Sequence, residues 1–536
     1  MYGKTFRHKG RTRKGSLDKP RVPTSALRTI IMKFPQQTTS LLSTLFLAIG
    51  GPLIAADEPA SPSGTSFLLA DDHFVDAKEG LRRILEAPVK KPKPVLTATQ
   101  PWEQNPYLFG SVLYDAKSKQ YRMWYMSYNR DRTPLERTPI LYATSKNGVA
   151  WEKPSLGVYE FAGSKQNNIV LGSLGFHDLY SPSVIEDPAS EDPQKRFKMI
   201  FWDKTGEDTY KDGGMHVAFS ADGIHWQRYE KNPVLKAGRN DRSISDVMDV
   251  MQDPLSGKFV VYAKGWNNEA WKDDGKENTA TSQRIILRSE SADFLNWSKP
   301  EPVIRHARTE SDPQSYGMPV FFHEGMYFGL MRSYKVPGDE KIDIRLMGSR
   351  DGKTWTPVCD GQTFLAVGSG DETWDDGMVF TAPPLVVGKR ILIYYGGWDG
   401  PHQSKYRHSA IGLAELPAGR VAALTPETGT GTLTTKPFPL NGNQIALNAQ
   451  AENGACRVAV LDAEGKEIPG FGWADCEPVA TDGSHLVVTW KNASLSTLAD
   501  RPVRLKFEIT GAAKLYGFQV DQSANAQAGR TDKNAG

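Results

Sequence analysis

The chain has 536 residues, 39% hydrophobic and 10% aromatic with 13 Trp, so it is long enough for several domains and too apolar for a disordered polymer. Its formal net charge of +3 hides an asymmetry: residues 1–31 carry nine Lys and Arg against Asp18, a net +8, which leaves the rest of the chain at −5. An acidic body removes any electrostatic case for nucleic acid or anionic membrane surfaces as partners.

From the start of the chain, Met32 and Lys33 precede the apolar run Leu41–Ile49 and then Gly50-Gly51-Pro52-Leu53-Ile54-Ala55-Ala56. A basic flank, a core too short to span a bilayer and small residues at its end predict a secretory signal over 32–56. Residues 1–31 then read as a mis-called extension, and the mature chain is expected to start near Asp57 and to be exported. No later apolar run is long enough for a membrane helix, so no membrane span is expected. Ala77–Ala87 is expected to form a short helix. The three cysteines are Cys359, Cys456 and Cys476. Export permits Cys456 and Cys476 to pair and leaves Cys359 free, a pairing that sequence alone does not decide. Neither Cys-x-x-Cys nor His-Glu-x-x-His nor a His cluster occurs, so no metal site and no cofactor are predicted.

A repeat then sets the architecture. Ser145-Lys146-Asn147-Gly148-Val149-Ala150-Trp151, Ser220-Ala221-Asp222-Gly223-Ile224-His225-Trp226, Ser291-Ala292-Asp293-Phe294-Leu295-Asn296-Trp297 and Ser349-Arg350-Asp351-Gly352-Lys353-Thr354-Trp355 share one pattern. Each follows a strand-like run and reads as a hairpin turn opening into a strand. Before the first three copies stand an extended segment, an acidic turn and an apolar strand: Leu113–Asp115 with Tyr121–Tyr125, Ile185–Pro188 with Phe197–Trp202, and Met251–Pro254 with Phe259–Tyr262. Looser versions are Pro319–His323 with Tyr327–Met331 and Pro384–Val387 with Ile391–Tyr395. Each unit supplies about four strands, so the reading is an all-β chain whose residues 57–424 form a five-bladed β-propeller. Asp115, Asp187, Asp222, Asp253 and Asp351 are assigned to turns. After a Thr/Gly-rich linker at 425–435, alternating runs such as Cys456–Leu461, His485–Trp490, Val503–Ile509 and Lys514–Val520 predict a small antiparallel β-sandwich over 436–522. Residues 523–536 are expected to be disordered.

Three short segments stand where the inner strands of successive blades begin. Trp102-Glu103-Gln104-Asn105-Pro106-Tyr107 is similar to a Trp-Met-Asn-Asp-Pro motif, His177-Asp178-Leu179-Tyr180 to an Arg-Asp-Pro motif, and Ser245-Asp246-Val247-Met248-Asp249 lies where a Glu-Cys pair is expected. With the repeat and the C-terminal sandwich, these make the chain resemble, over about Ser66–Gln519, the five-bladed propeller glycoside hydrolases. That clan holds invertases, levanases, arabinanases and β-xylosidases, and the invertase-like members carry the sandwich. The resemblance implies a carbohydrate substrate at one end of the propeller axis, with a nucleophile or base from the first blade, a transition-state stabiliser from the second and a general acid from the third. Three departures stand out: Asn105 occupies the nucleophile's place, the Arg is missing, and so is the Glu-Cys pair.

Glycosidic cleavage needs a protonated carboxyl at the leaving oxygen and an ionised one opposite. The expected catalytic carboxylates are Asp178, Asp246, Glu310 and Asp376, with at least one held protonated by its neighbours. Trp102, Glu103, Asn105, His177, Asp249, Asp312, Tyr316, Trp374, Asp375, Trp398 and His402 are the expected sugar contacts. A non-catalytic sugar-binding propeller stays open, since Asn105 cannot attack or take a proton. So, more weakly, do a sialidase-like enzyme, from the turn motif, and a phosphorolytic one using Arg239, Arg242 and Arg332.

Overall fold

A computed structural model describes residues 65–238, 242–267, 283–305, 313–336, 338–370, 373–498 and 500–522. The expected signal, extension and C-terminal tail lie outside the described residues, as do Glu310 and Asp312.

Five blades follow one another along the chain, each running from an inner strand outward, with the fourth and fifth joined through Ile342 and Met378. The first blade comprises Pro106–Asp115, Gln120–Ser127, Ile140–Ser145 and Ile169–Leu171. The second has Tyr180–Glu186, Phe197–Lys204 and Gly213–Ser220, with Gln227–Arg228 and Leu235–Lys236 outside. The third comprises Met248–Gln252, Phe259–Asn267, Gln283–Ser291 and Glu301–Ile304. In the fourth, the inner strand is broken around Pro319 into Gln314–Ser315 and Val320–His323, both paired with Met326–Tyr334, and Ile342–Ser349 follows. The fifth has Met378–Thr381 and Leu385–Val387 inside, then Arg390–Trp398 and Ser409–Pro417. Its outer strand is Val89–Lys90, from upstream of the first blade, which closes the ring. The propeller predicted from the repeat is the fold observed.

The four signature turns each leave the third strand of a blade and share one hydrogen-bond scheme. Asp222 Oδ1 accepts from the amides of Ile224 and His225 at 2.8 and 2.9 Å, and Asn147, Asp293 and Asp351 do the same in their turns. Adjacent inner strands are stitched by serines: Ser111 Oγ accepts from the Val184 amide at 2.8 Å and Ser183 Oγ from the Val250 amide at 3.1 Å.

Two packed sheets form the sandwich, and here the expected boundaries shift. One sheet runs Leu81–Leu85, Ala422–Pro426, Lys514–Asp521, Gln444–Gln450, Asp482–Val487, with Thr65–Leu68 beside Lys514–Asp521. The other runs Val75–Glu79, Thr430–Thr435, Pro502–Gly511, the last also pairing Gly454–Asp462 and Phe438–Pro439. So the segment expected to be a helix, Ala77–Ala87, holds parts of two strands, and the expected linker supplies Thr430–Thr435. The physical reason is long-range pairing: strands at the beginning of the described chain add to the edges of sheets built from strands near its end. Pro502–Gly511 alternates as a half-buried strand should, with Val503, Leu505, Phe507 and Ile509 inside. The thiols of Cys359, Cys456 and Cys476 are buried and unbridged, so Cys456 and Cys476 do not pair here.

Candidate active site

The inner strands converge on an axial cavity of about 800 Å³. Tyr107 and Phe109 reach it from the first blade, Tyr180 and Trp202 from the second, Asp246, Lys264, Trp266 and Arg284 from the third, Tyr316 from the fourth, and Phe380 and Trp398 from the fifth. Local irregularities turn these side chains inward. Ser181 adopts φ +50°, and opposite it the ladder slips between Ile200 and Trp202. The slip re-aims Tyr180 and Trp202, and the Ser181 hydroxyl donates to the Asp246 carbonyl at 2.9 Å, tying the second blade to the third.

Of the four expected catalytic carboxylates, Asp246 alone lines the cavity among the described residues. Its side chain is 34% exposed and forms an ion pair with the buried Lys264 ammonium at 2.7 Å. Burial opposes its ionisation, but Lys264 and the Ser245 hydroxyl outweigh that and hold the carboxyl well below the usual range. Like charges were expected to raise one carboxyl; on this wall a cation does the opposite. Asp178 lies behind the wall, where it accepts from Arg137 at 3.0 Å and from the Tyr180 hydroxyl at 3.1 Å. Burial and then Asp178 raise the Tyr180 phenol well above its ordinary value. Asp376 is half-buried and does not line the cavity.

Among the expected sugar contacts, His177, Tyr316, Trp398 and His402 line the cavity. His402 Nε2 and the Tyr316 hydroxyl are 2.8 Å apart, and Nδ1 lies 3.4 Å from the Tyr334 hydroxyl. Burial, then the cations Arg284, Arg407 and Lys264, push His402 down to about 3, so the ring is neutral at physiological pH.

The other described ones lie outside the cavity lining, and Asp312 is outside the described residues. Glu103 is buried against Lys153 at 2.6 Å and the Tyr125 hydroxyl at 2.5 Å. Trp102 donates to Asn168 at 2.7 Å. Asn105 is buried and donates to the Tyr128 carbonyl at 3.2 Å, behind the wall rather than on it. Asp249 meets Arg332 through two bonds at 3.0 and 3.2 Å, and Arg332 also donates to the Thr381 carbonyl at 2.7 Å. That guanidinium lies 5.1 Å from the Phe109 ring, which lines the cavity, so the pair braces the wall. Asp375 is held by Lys90 at 2.6 Å and by the Tyr395 hydroxyl, and Trp374 stacks on Tyr395.

Arg332 is thus spent on Asp249 and Arg242 is paired with Glu301, while Arg239 lies outside the described residues, so the phosphate pocket considered from sequence is not assembled among those described. The described residues form five blades, whereas the sialidase-like reading calls for a six-bladed propeller.

Sequence reasoning passed over Lys264, Trp266, Arg284, Tyr180, Trp202 and Arg407. Most sit at the ends of second and third strands, which reach the same rim as the inner-strand starts. The alternation Tyr262, Lys264, Trp266 carried a usable signal, a cation and an aromatic on one strand face at the end expected to reach the axis. No cluster of His, Cys, Asp and Glu suited to a metal ion occurs among the described residues.

No family model matches the chain, and no curated protein sequence matches it. Solved structures do. A glycoside hydrolase is similar at 15% identity and a TM-score of 0.43, over 61% of this chain and 92% of its own. A fructofuranosidase from Schwanniomyces occidentalis complexed with fructose is similar at 13% identity and 0.40, over 80% and 97%. An N-acetylgalactosamine deacetylase from F. plautii, in complex with blood group B trisaccharide, is similar at 14% identity and 0.40, over 62% and 95%.

Proposed function

We propose that the axial cavity is the active site of a glycoside hydrolase, with Asp246 as its ionised carboxylate. One observation carries this reading: aromatic rings and polar side-chain ends from all five blades alternate around a cavity of about 800 Å³ with an ionised carboxylate on its wall. Sugars present apolar C–H faces and hydroxyl edges, and such a wall offers rings such as Trp202, Trp266 and Trp398 to the first and polar groups to the second. Asp246 is suited to stabilise positive charge at the anomeric carbon, or to act as base or nucleophile, because it keeps its charge. Asp178 bears on the same space through the Tyr180 hydroxyl. Glu310, outside the described residues, remains one of the four carboxylates expected from the sequence to act in catalysis, with no individual role assigned to it. Export follows from the three-part pattern over residues 32–56, and N-terminal sequencing of material outside the cytoplasm tests it.

A specific observation favours a second reading, a sugar-binding propeller without catalysis: Asp246 is the single carboxylate among the described residues lining the cavity, and Lys264 neutralises it. Reducing-end release across a furanoside and pyranoside panel, measured beside calorimetric binding, separates the two. Turnover that disappears in Asp246→Asn while binding persists supports hydrolysis. Binding without turnover in the wild type overturns it in favour of the second reading.

A further inference from the structure

We propose that the cavity takes an anionic sugar residue, bearing a carboxylate or a sulfate, whose charge is met by Arg407 and Arg130 on the side shared by the first and fifth blades. This rests on the reading of the cavity as a glycan site and names the class of glycan.

The lining contains Arg130, Lys264, Arg284, Lys405 and Arg407 against Asp246 among the described residues. Lys264 is paired with Asp246, and Arg284 donates to Gln314 at 2.7 Å beneath the rings of Trp266, Tyr316 and Tyr334. The other three meet no carboxylate among the described residues. Arg407 donates to the carbonyls of Pro401 and His402 and lies 5.0 Å over the Trp398 ring. Arg130 lies 4.8 Å over the Tyr406 ring, with the Lys405 ammonium 5.3 Å from the same ring.

Carbonyls and ring faces orient these cations without neutralising them. Burial, assisted by Arg130, lowers the Arg407 pKa, so its charge is held at a cost that a bound anion would offset. A neutral sugar leaves that charge uncompensated. A carboxylate or sulfate matches the planar fork of a guanidinium. Five cations against one carboxylate make this mouth locally positive, although the chain from Met32 onward is net −5. Neither Arg130 nor Arg407 was selected by motif, because both lie in loops beyond strand ends.

The test is calorimetric binding of the whole protein to neutral, uronate-bearing and sulfated oligosaccharides of matched length, at low and high salt. Anionic ligands are expected to bind about tenfold tighter than neutral ones at low salt, with the advantage shrinking as salt screens it. Arg407→Gln should remove that preference while leaving the weak binding of neutral ligands in place. Arg130→Gln carries the same test if Arg407→Gln loses the fold. The uronate and sulfate arms identify which anion is preferred. Neutral ligands binding as tightly as anionic ones, or both classes weakening equally in the variants, would overturn the proposal. Turnover is scored separately: anionic binding without hydrolysis sinks the hydrolase reading and leaves this one, whereas hydrolysis of neutral glycans with no charge preference does the reverse.

Discussion

The Tyr394 hydroxyl of the fifth blade donates to the carbonyl of Gly148, in the signature turn of the first blade, at 2.8 Å. Trp124 of the first blade does the same to Gly223 of the second, and Tyr262 of the third to Gly352 of the fourth. Each turn is therefore locked by an aromatic donor from the preceding blade, and the donor occupies the space that a side chain on the glycine would need. A Cβ on Gly148 would stand 2.5 Å from the Tyr394 hydroxyl, at a residue whose φ is already +74°.

Hence Tyr394→Phe is expected to destabilise the fold by about 1–3 kcal/mol, because the buried Gly148 carbonyl loses its partner. Gly148→Ala adds a left-handed penalty of about 1–2 kcal/mol to a steric overlap. Since Phe removes the atom that the new methyl would strike, the double variant should be more stable than the sum of the two losses by about 1 kcal/mol. Denaturant unfolding of the four proteins checks this; strict additivity would mean that the contact is not direct.

At the boundary between the second and third blades the arrangement is inverted. Trp124, Ile200 and Tyr262 each stand three residues past the strand residue that pairs with a signature serine. Ile200 has no donor, and the turn it faces carries Phe294 in place of glycine, at φ +67° with its ring buried against Phe219, Phe259 and Trp297. Phe294→Ala should cost about 3–5 kcal/mol in lost packing. Phe294→Gly loses the same ring but relieves the backbone, so it should be the more stable of the two by up to about 1 kcal/mol, against their usual order within a strand. Thermal unfolding of both variants decides it, and the opposite order would show that the left-handed backbone carries no strain there.

These turns explain what was legible. Ser220, Asp222 and Trp226 act within one hairpin, so their pattern survives in the local sequence and identified four of the five blades. The match of Ile200, which has no donor, with a turn carrying Phe294 becomes visible only when the second and third blades pack into one core. The strands Val75–Glu79 and Leu81–Leu85 were misread for a related reason: Lys78, Arg82 and Arg83 interrupt any clean alternation, and their partners Thr430–Thr435 and Ala422–Pro426 lie at the other end of the chain. At the site, Asp246, His177, Tyr316, Trp398 and His402 followed from their places near inner-strand starts or in the fifth-blade loop. Glu103 and Asp249 shared that address yet turn to Lys153 and Arg332, a choice set by packing rather than by position.

Two histidines, His216 buried in the second blade and His402 half-buried at the cavity, make stability depend on pH. His216 packs against Phe201 with neither ring nitrogen hydrogen-bonded, and burial, then Arg228, pushes it down to about 3. His402 is pushed to a similar value. In the unfolded chain both take up protons near pH 6.5, so between about 6.5 and 3 the unfolded state binds more protons. Stability should be fully present above that window and fall as pH decreases through it, by about 1.4 kcal/mol per pH unit for each group. His216→Leu should flatten the decline relative to the wild type between pH 6 and 4.5 in denaturant titrations. Parallel declines would show that His216 is protonated in the folded protein.

The Asp246–Lys264 pair gives the prediction closest to the chemistry. If Asp246 is the ionised carboxylate of hydrolysis, its depressed pKa keeps it charged throughout the acid range, so it should not set the acid limb of kcat/KM in the wild type. Lys264→Met removes the charge that opposes burial, so the Asp246 pKa should rise, and with it the pH at which activity falls away on the acid side. Asp246→Asn should abolish turnover at every pH while retaining binding, and Lys264→Met should keep activity at higher pH. The sign discriminates between roles. A lysine that acts only as a structural brace would lower activity evenly across pH, whereas a lysine that maintains the carboxylate's charge shifts the acid limb upward and leaves the neutral plateau the less affected part of the profile.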